Sequence, residues 1–439
     1  MALAESPLPG AVVFTGRSDI LSVIRSELKD SHIEPILCPE GVDRCIEELV
    51  QNPGALLILD WQIGVSKCVE VLEAVRSPFR MEIRPIFIFS QESDVQLEGI
   101  AIEYGVIQIH VGEITKNVIH ENLREVVKTE GMPHEVREGF KMVAESRERG
   151  DWSTSGSLLQ ALKDKYASVD RLSVDLCENL FYEGKLEEAK DLLAPLCEKK
   201  PPDPRALNIL GRIQLAESDI QGATVTLQKA KVINPFNIDR LISLGESYLQ
   251  INMVDRAERN FREAVDHGSK DPKAVGGLGK SLLMGEKINE ALVFLKQLSG
   301  PREMASVFNS AAVLSMRSGR FVEGMKLYHV AVDAIGKQPE VVSKLAFNMG
   351  IGFHRSGDNQ KAMTCFGLAV HLDERNAKAK DNFEKFSKHL GKPDIPEDHE
   401  LLYAMIKQIN ITGEPSSPSQ GTKQIPDDIQ MDDDSEVPA

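Results

Sequence analysis

Two side chains in the first 130 residues stand where chemistry could be done. Asp60 closes the apolar run Leu56-Leu57-Ile58-Leu59, and Ser90 closes Ile86-Phe87-Ile88-Phe89. A carboxylate and a hydroxyl at the carboxyl ends of buried strands lie where open α/β sheets keep their sites. A third motif, Gly276-Gly277-Leu278-Gly279-Lys280-Ser281, ends like the phosphate-binding loop GxxxxGK[ST]. That loop needs glycine at 274, which is Ala274, and it must lead from a buried strand into a helix. Here the motif falls inside a helical pattern, so its glycines are expected to serve packing. The ten histidines form no HExxH pattern, and packing or surface roles are expected for His354 and His371. The six cysteines, at 38, 45, 68, 177, 197 and 365, include no CxxC pair and so offer no metal or disulfide framework. Cys177 is expected to pack. Neither GxSxG nor a Ser–His–Asp signature is present. The expectation is a chain that is not an enzyme, with no catalytic residue, metal or cofactor.

Asp60 and Ser90 need a framework. Ala11–Thr15, Ala55–Leu59 and Pro85–Phe89 are short continuous apolar runs, the pattern of strands buried on both faces of a parallel sheet. Ile36–Leu37 and Val106–Ile109 supply two weaker strands. Ile20–Leu28, Val42–Val50, Cys68–Arg76, Val95–Tyr104 and Lys116–Val127 read as amphipathic helices between them. The alternation predicts a five-strand, doubly wound parallel α/β domain over residues 10–128, after a short arm at 1–9.

Asp60-Trp61-Gln62-Ile63-Gly64 and the run ending in Ser90 resemble the receiver domain of two-component response regulators. The resemblance implies that Asp60 stands at the phosphoryl-accepting position, with Ser90 at the hydroxyl that hydrogen-bonds the phosphoryl group. Two departures matter. The acidic pair that binds Mg²⁺ in the family is replaced by Thr15 and Gly16, and the lysine ending the fifth strand by Val111, Gly112 and Glu113. Magnesium needs hard oxygen ligands, and a transferring phosphoryl group needs its charge stabilised. The expectation is a pseudo-receiver used for docking, with Mg²⁺ relevant only to an active receiver.

From residue 136 the periodicity changes. Ala189, Ala223, Ala257 and Ala291 fall 34 residues apart. Around them recur Leu207, Leu210, Gly211, Leu227 and Ala230, then Leu241, Leu244, Gly245, Phe261 and Ala264. Small residues let two helices approach closely, large ones fill the space between, and a unit of this kind must stack on copies of itself. Gly211, Ala223 and Ala230 are expected as the close contacts. The pattern resembles the tetratricopeptide (TPR) repeat. It predicts an all-α superhelix over 136–390, about seven repeats ending in a capping helix at 377–390, joined through a linker at 129–135. The best units run 170–203, 204–237 and 238–271; the unit from 272 is cut short before Pro301, and later ones start near 305 and 343.

The TPR resemblance implies a concave face lined by the first helix of each unit. Transferring its positions gives Arg205, Asn208, Arg212, Asp239 and Glu246, then Lys273, Lys280, Asn309 and Arg317, then Lys344, Phe347, His354 and Arg355 as partner-binding candidates. An acidic peptide gripped by Arg205, Arg212, Lys273 and Lys280 is the expected ligand. The lysine–asparagine clamp of chaperone-binding repeats is incomplete.

Residues 397–410 read as one amphipathic helix, with Leu401, Leu402, Met405, Ile406 and Ile409 in its stripe. It could cover the end of the array, its groove or a partner. Residues 411–439 carry seven acids against Lys423, a charge of −6, and are expected to be a disordered acidic tail. With a formal net charge of −16 for the chain, nucleic acid and anionic lipid are not expected partners. No signal peptide and no membrane-inserting run is read, so a cytoplasmic location is expected. The combined expectation is a signalling adaptor in which receiver surface and TPR groove both bind proteins or peptides. The receiver resemblance implies a bacterial signalling or motility setting. Self-association stays open, and the alternative is a response regulator phosphorylated at Asp60 with the array as output.

Overall fold

A computed structural model describes residues 8–76, 85–92, 95–106, 108–129, 134–166, 170–199, 202–267, 271–298 and 300–411. The chain divides into two compact units, 1–240 and 241–439. The sequence reading of 411–439 as a disordered tail lies outside the described residues from 412 onward.

The first unit opens with five parallel strands: β1 Ala11–Phe14, β2 Ile36–Leu37, β3 Leu56–Asp60, β4 Ile86–Ser90 and β5 Gln108–Val111. Their order in the sheet is β2-β1-β3-β4-β5. β1, β3 and β4 are buried throughout, as their unbroken apolar runs require. Five helices accompany the strands: α1 Ser18–Asp30, α2 Val42–Gln51, α3 Val65–Arg76, α4 Val95–Tyr104 and α5 Lys116–Thr129. Ile24, Leu28, Ile119 and Leu123 of α1 and α5 pack on one face, against Val13, Ile58 and Phe87. Leu49, Leu72, Leu97 and Ile100 of α2, α3 and α4 pack on the other, against Val12, Leu57 and Ile88. β5 starts two residues later than the sequence pattern places it. The Val106 amide instead bonds back to the Ala101 carbonyl at 2.8 Å, with Gly105 at φ +61°, and so closes the end of α4.

Helix pairs fill the rest of the first unit: α6 His134–Glu148 with α7 Trp152–Lys165, α8 Asp170–Tyr182 with α9 Leu186–Cys197, and α10 Pro204–Ala216 with α11 Ile220–Ile233. The division between units falls inside α12, Ile238–Gln250. The second unit continues with α13 Val254–Asp266, the pair α14 Pro272–Met284 and α15 Ile288–Leu295, the pair α16 Pro301–Arg317 and α17 Phe321–Ile335, and the pair α18 Pro339–Arg355 and α19 Asn359–Leu372. α20, Ala377–Leu390, packs on α19 as the capping helix, and α21, His399–Gln408, follows. α16 and α18 begin about four residues before the positions read from the period, each with proline at its first turn, where a missing N–H costs nothing.

One contact recurs through the pairs. A Cβ on Gly211 would lie 2.5 Å from Leu227, one on Gly245 2.6 Å from Phe261, one on Gly279 2.4 Å from Leu295, and one on Gly350 2.7 Å from Phe366. In each case the large residue lies sixteen positions after the glycine. The close contact is therefore a large side chain seated on a glycine, a correction to the expected meeting of small with small. Gly277 receives the other side of Phe261, at 2.2 Å from an added Cβ. This accounts for the glycines of the phosphate-loop-like motif: they lie inside α14, buried, and make room for Phe261 and Leu295.

α21 packs on α17 and α19, which are second helices of their pairs. Leu402, Tyr403 and Ile406 are its buried face, whereas Leu401 is exposed. Residues 399–411 therefore do not occupy the face of the first helices. Among the described residues no helix is long and apolar enough to cross a membrane.

Ala223 is fully buried in the α10–α11 pair. Ala223→Leu is expected to overpack it at a cost of roughly 1–3 kcal/mol. A lowered midpoint in thermal unfolding checks this; an unchanged midpoint contradicts the packing described.

Candidate functional site

The sheet's carboxyl edge holds both candidate chemical residues, and it is filled by the chain's own cation. Asp60 is fully buried at the end of β3. Arg17, just before α1, donates from Nε to Asp60 Oδ2 at 2.9 Å and from Nη2 to Oδ1 at 3.0 Å. The Thr15 hydroxyl donates to Oδ2 at 2.6 Å, and the Gln62 amide donates to Oδ1 at 3.0 Å. Arg17 also lies over the Phe89 ring, 5.4 Å from its centroid. A two-point arginine–carboxylate pair is geometrically specific, and each Asp60 oxygen already accepts two donors. A divalent cation at this edge would need oxygen ligands where the structure puts a guanidinium, so the residues present do not fit Mg²⁺. Ser90 Oγ donates to the Glu92 carbonyl at 2.7 Å and accepts from Gln62 Nε2 at 3.3 Å, which spends its hydroxyl on the loop. Among the described residues no group of His, Cys, Asp or Glu could hold a metal.

The sequence pattern marks Thr15 and Gly16, where acids are replaced, and passes over Arg17. The signal was present one position later: a basic residue directly after a strand that lacks its acidic pair.

The second constellation joins the α/β domain to the helix pairs inside the first unit. Glu103 on α4 is buried. Arg240 Nη2 donates to its Oε1 at 2.9 Å, Asn237 Nδ2 donates to Oε1 at 2.8 Å, and Asn234 Nδ2 donates to Oε2 at 2.8 Å. Arg240 is itself fully buried and also donates to the carbonyls of Asn234 and Pro204. Beside them, burial and the nearby carboxylates Asp239, Glu103 and Glu70 push Glu73 up to about 7, against a hydrogen bond from the Tyr104 hydroxyl. Neither Glu103 nor Arg240 was singled out in the sequence. The two lie far apart in the chain, and no local pattern pairs them.

The partner-binding candidates separate once their contacts are known. In the first unit, Arg205 is held by Asp203 at 2.9 Å. Arg212 donates to the Tyr182 hydroxyl at 3.1 Å and lies 4.5 Å from the Phe181 ring centroid. Asn208 is buried, and Asp239 is exposed. The same register one pair earlier puts Arg171, Glu178, Phe181 and Tyr182 on this face, residues that the sequence pattern did not single out. In the second unit, Lys273, Arg317, Lys344 and Arg355 are exposed. Glu246 and Lys280 are half-buried, and burial lowers the Lys280 amine below the ordinary lysine range despite Glu246 nearby. Phe347 is corrected: it is 1% exposed and packs on Phe366, with ring centroids 5.6 Å apart. His354 is spent on Asn359, at 2.7 Å from its Nδ1, and on the edge of Phe386. Asn309 Oδ1 accepts from the Tyr328 hydroxyl at 2.8 Å and from Asn348 Nδ2 at 3.0 Å. Cys177 is buried, and burial pushes its thiol up to about 12, which suits packing.

Among solved structures, the chain is similar to a tetratricopeptide repeat protein from Parabacteroides merdae, at 17% identity over 57% of this chain and 98% of that one, with a TM-score of 0.37. It is also similar to the Cut9–Hcn1 hetero-tetramer of APC/C, at 11% identity over 62% and 52%, TM-score 0.38. A third is YrrB, a TPR protein with an unusual peptide-binding site, at 14% identity over 44% and 97%, TM-score 0.28. No protein-family model matches the chain, and no curated protein matches it. The helix pairs with their 34-residue period and recurring glycine seats form a TPR-like array.

With Arg17 on Asp60, Mg²⁺-dependent labelling of Asp60 by acetyl phosphate is expected to be absent. Stoichiometric labelling that disappears in Asp60→Asn contradicts this geometry.

Proposed function

We propose that this protein is a non-enzymatic adaptor whose first-helix face in the second unit binds an extended acidic peptide of another protein. The observation that carries the reading is a set of four first-helix cations, in an acidic chain, that make no ion-pair contact among the described residues. Among the described residues, Lys273 and Lys280 on α14, Arg317 on α16 and Lys344 on α18 have no ion pair within 4 Å, although the chain's net charge is −16. α14 packs on α16 and α16 on α18, so these first helices form one layer. On the first helices of the first unit, by contrast, Arg205 and Arg212 are paired within the fold. A like-signed, unpaired set attracts the opposite charge and speeds its encounter. Between the cations, Asn309 Nδ2 and Asn348 Oδ1 have no protein partner among the described residues. They supply a donor and an acceptor for the backbone of an extended chain. This shifts the expected grip from Arg205 and Arg212 towards Lys273, Lys280, Arg317 and Lys344.

The receiver resemblance supports a pseudo-receiver reading of residues 10–128: a former phosphoryl site closed by Arg17 and kept for its fold. On that resemblance the adaptor works in a cytoplasmic bacterial signalling or motility pathway. The alternative, a response regulator phosphorylated at Asp60, has the Arg17 pair against it.

Calorimetric titration of the full chain with a 12-residue acidic peptide tests the binding reading. Tight binding that weakens with salt is expected, with a loss of at least tenfold in the Lys280→Glu/Lys344→Glu double variant. Unchanged affinity in that variant rejects this face as the site.

A further inference from the structure

The turn between α11 and α12 is built as a receptor for one carboxylate. Asn234 and Asn237 each turn a side-chain amide N–H towards Glu103, and each uses its own amide oxygen to hold the turn. The Phe236 amide donates to Asn234 Oδ1 at 3.0 Å, and the Arg240 amide donates to Asn237 Oδ1 at 2.8 Å. The turn therefore presents three donors to the carboxylate from a fixed backbone. Around this polar centre lies an apolar rim. Phe236 packs on the cluster beneath α3 and α4, and Ile233 fits so closely over Gly99 that a Cβ there would lie 2.1 Å from Ile233 Cγ2. Gly99 and Glu103 are one helical turn apart on α4, so one face of this helix offers a gap for Ile233 and then a charge for Arg240.

We propose that the α/β domain is an internal ligand of the helix array, latched through Gly99 and Glu103 of α4 into the 233–240 turn. The latch is all-or-none. Removing Glu103 from its donors strands a fully buried guanidinium, so a half-open dock is strongly disfavoured. The consequence is that α4 is not a free partner-binding face in the resting protein. A partner that uses α4 or the 233–240 turn must first displace one from the other.

Hydrogen exchange read by mass spectrometry on the full chain tests this with two independent variants. Gly99→Ala places a methyl group against Ile233 while raising the helix propensity of α4 itself. Glu103→Gln removes the charge and keeps the shape. In both, amides of α4 and of residues 233–240 are expected to exchange at least tenfold faster, with β1, β3 and α16–α19 unchanged. The proposal is overturned if Gly99→Ala leaves α4 and 233–240 as protected as in the native chain. It is equally overturned if the variants accelerate the sheet as much as α4, because the contact would then be core and not a latch. Should Glu103→Gln fail to fold, Gly99→Ala decides alone.

Discussion

The organisation of residues 8–240 rests on one buried ion pair. Glu103 and Arg240 are both removed from water, a costly state for two charges unless their hydrogen bonds are completed. Asn234, Asn237 and two backbone carbonyls supply most of them, and Arg240 Nε is left without a partner among the described residues. The pair ties an α/β domain to the first turn of α12, just after the third helix pair, although the chain joins that domain to the first pair. The linker thus sets which parts are neighbours in sequence, and the ion pair sets which are neighbours in space. Any misplacement of such a pair leaves a buried charge unmatched, which disfavours other ways of docking.

The same logic separates the two candidate sites. At the sheet edge, Arg17 meets Asp60 on both oxygens, and the chemistry open to a lone carboxylate is closed. On α14, α16 and α18 the reverse holds. Among the described residues Lys273, Lys280, Arg317 and Lys344 make no ion-pair contact, which is why the proposed function rests on them. Burial of Lys280 lowers its amine despite Glu246 nearby, so in the proposed reading an acidic ligand would favour its charged form further. The proposed function rests on unmatched charge, and the matched charges hold the architecture.

Much of the architecture was legible in the sequence because it is written in local periods. Continuous apolar runs gave β1, β3 and β4 within one residue at each end. The 34-residue recurrence gave the helix pairs. The glycines of the phosphate-loop-like motif have a packing reason: Gly277 and Gly279 fall where the repeat needs space for Phe261 and Leu295. What was not legible depends on contacts distant in sequence. Phe347 sits at a register position that is concave in principle, yet it turns into the layer beneath to meet Phe366. Arg17 replaces a missing acidic pair with a cation, which a pattern of acids cannot show. Glu103 and Arg240 are ordinary residues on amphipathic helices until the fold brings them together. α21 carried its stripe plainly, but only the packing on α17 and α19 shows that Leu402 and Ile406, and not Leu401, face inward.

The two tryptophans allow a direct test of whether the α/β domain and the first helix pairs are one body. Trp61 follows β3, and Trp152 opens α7, stacked on Tyr182 at 4.1 Å. Thermal unfolding followed by fluorescence in Trp152→Phe and in Trp61→Phe reports each part separately. Coincident transitions, which mark a single cooperative unit, are the expected result. Two transitions separated by about 10 °C or more, a gap worth a kcal/mol or more for parts of this size, would show that the domain and the array unfold independently and would contradict the account.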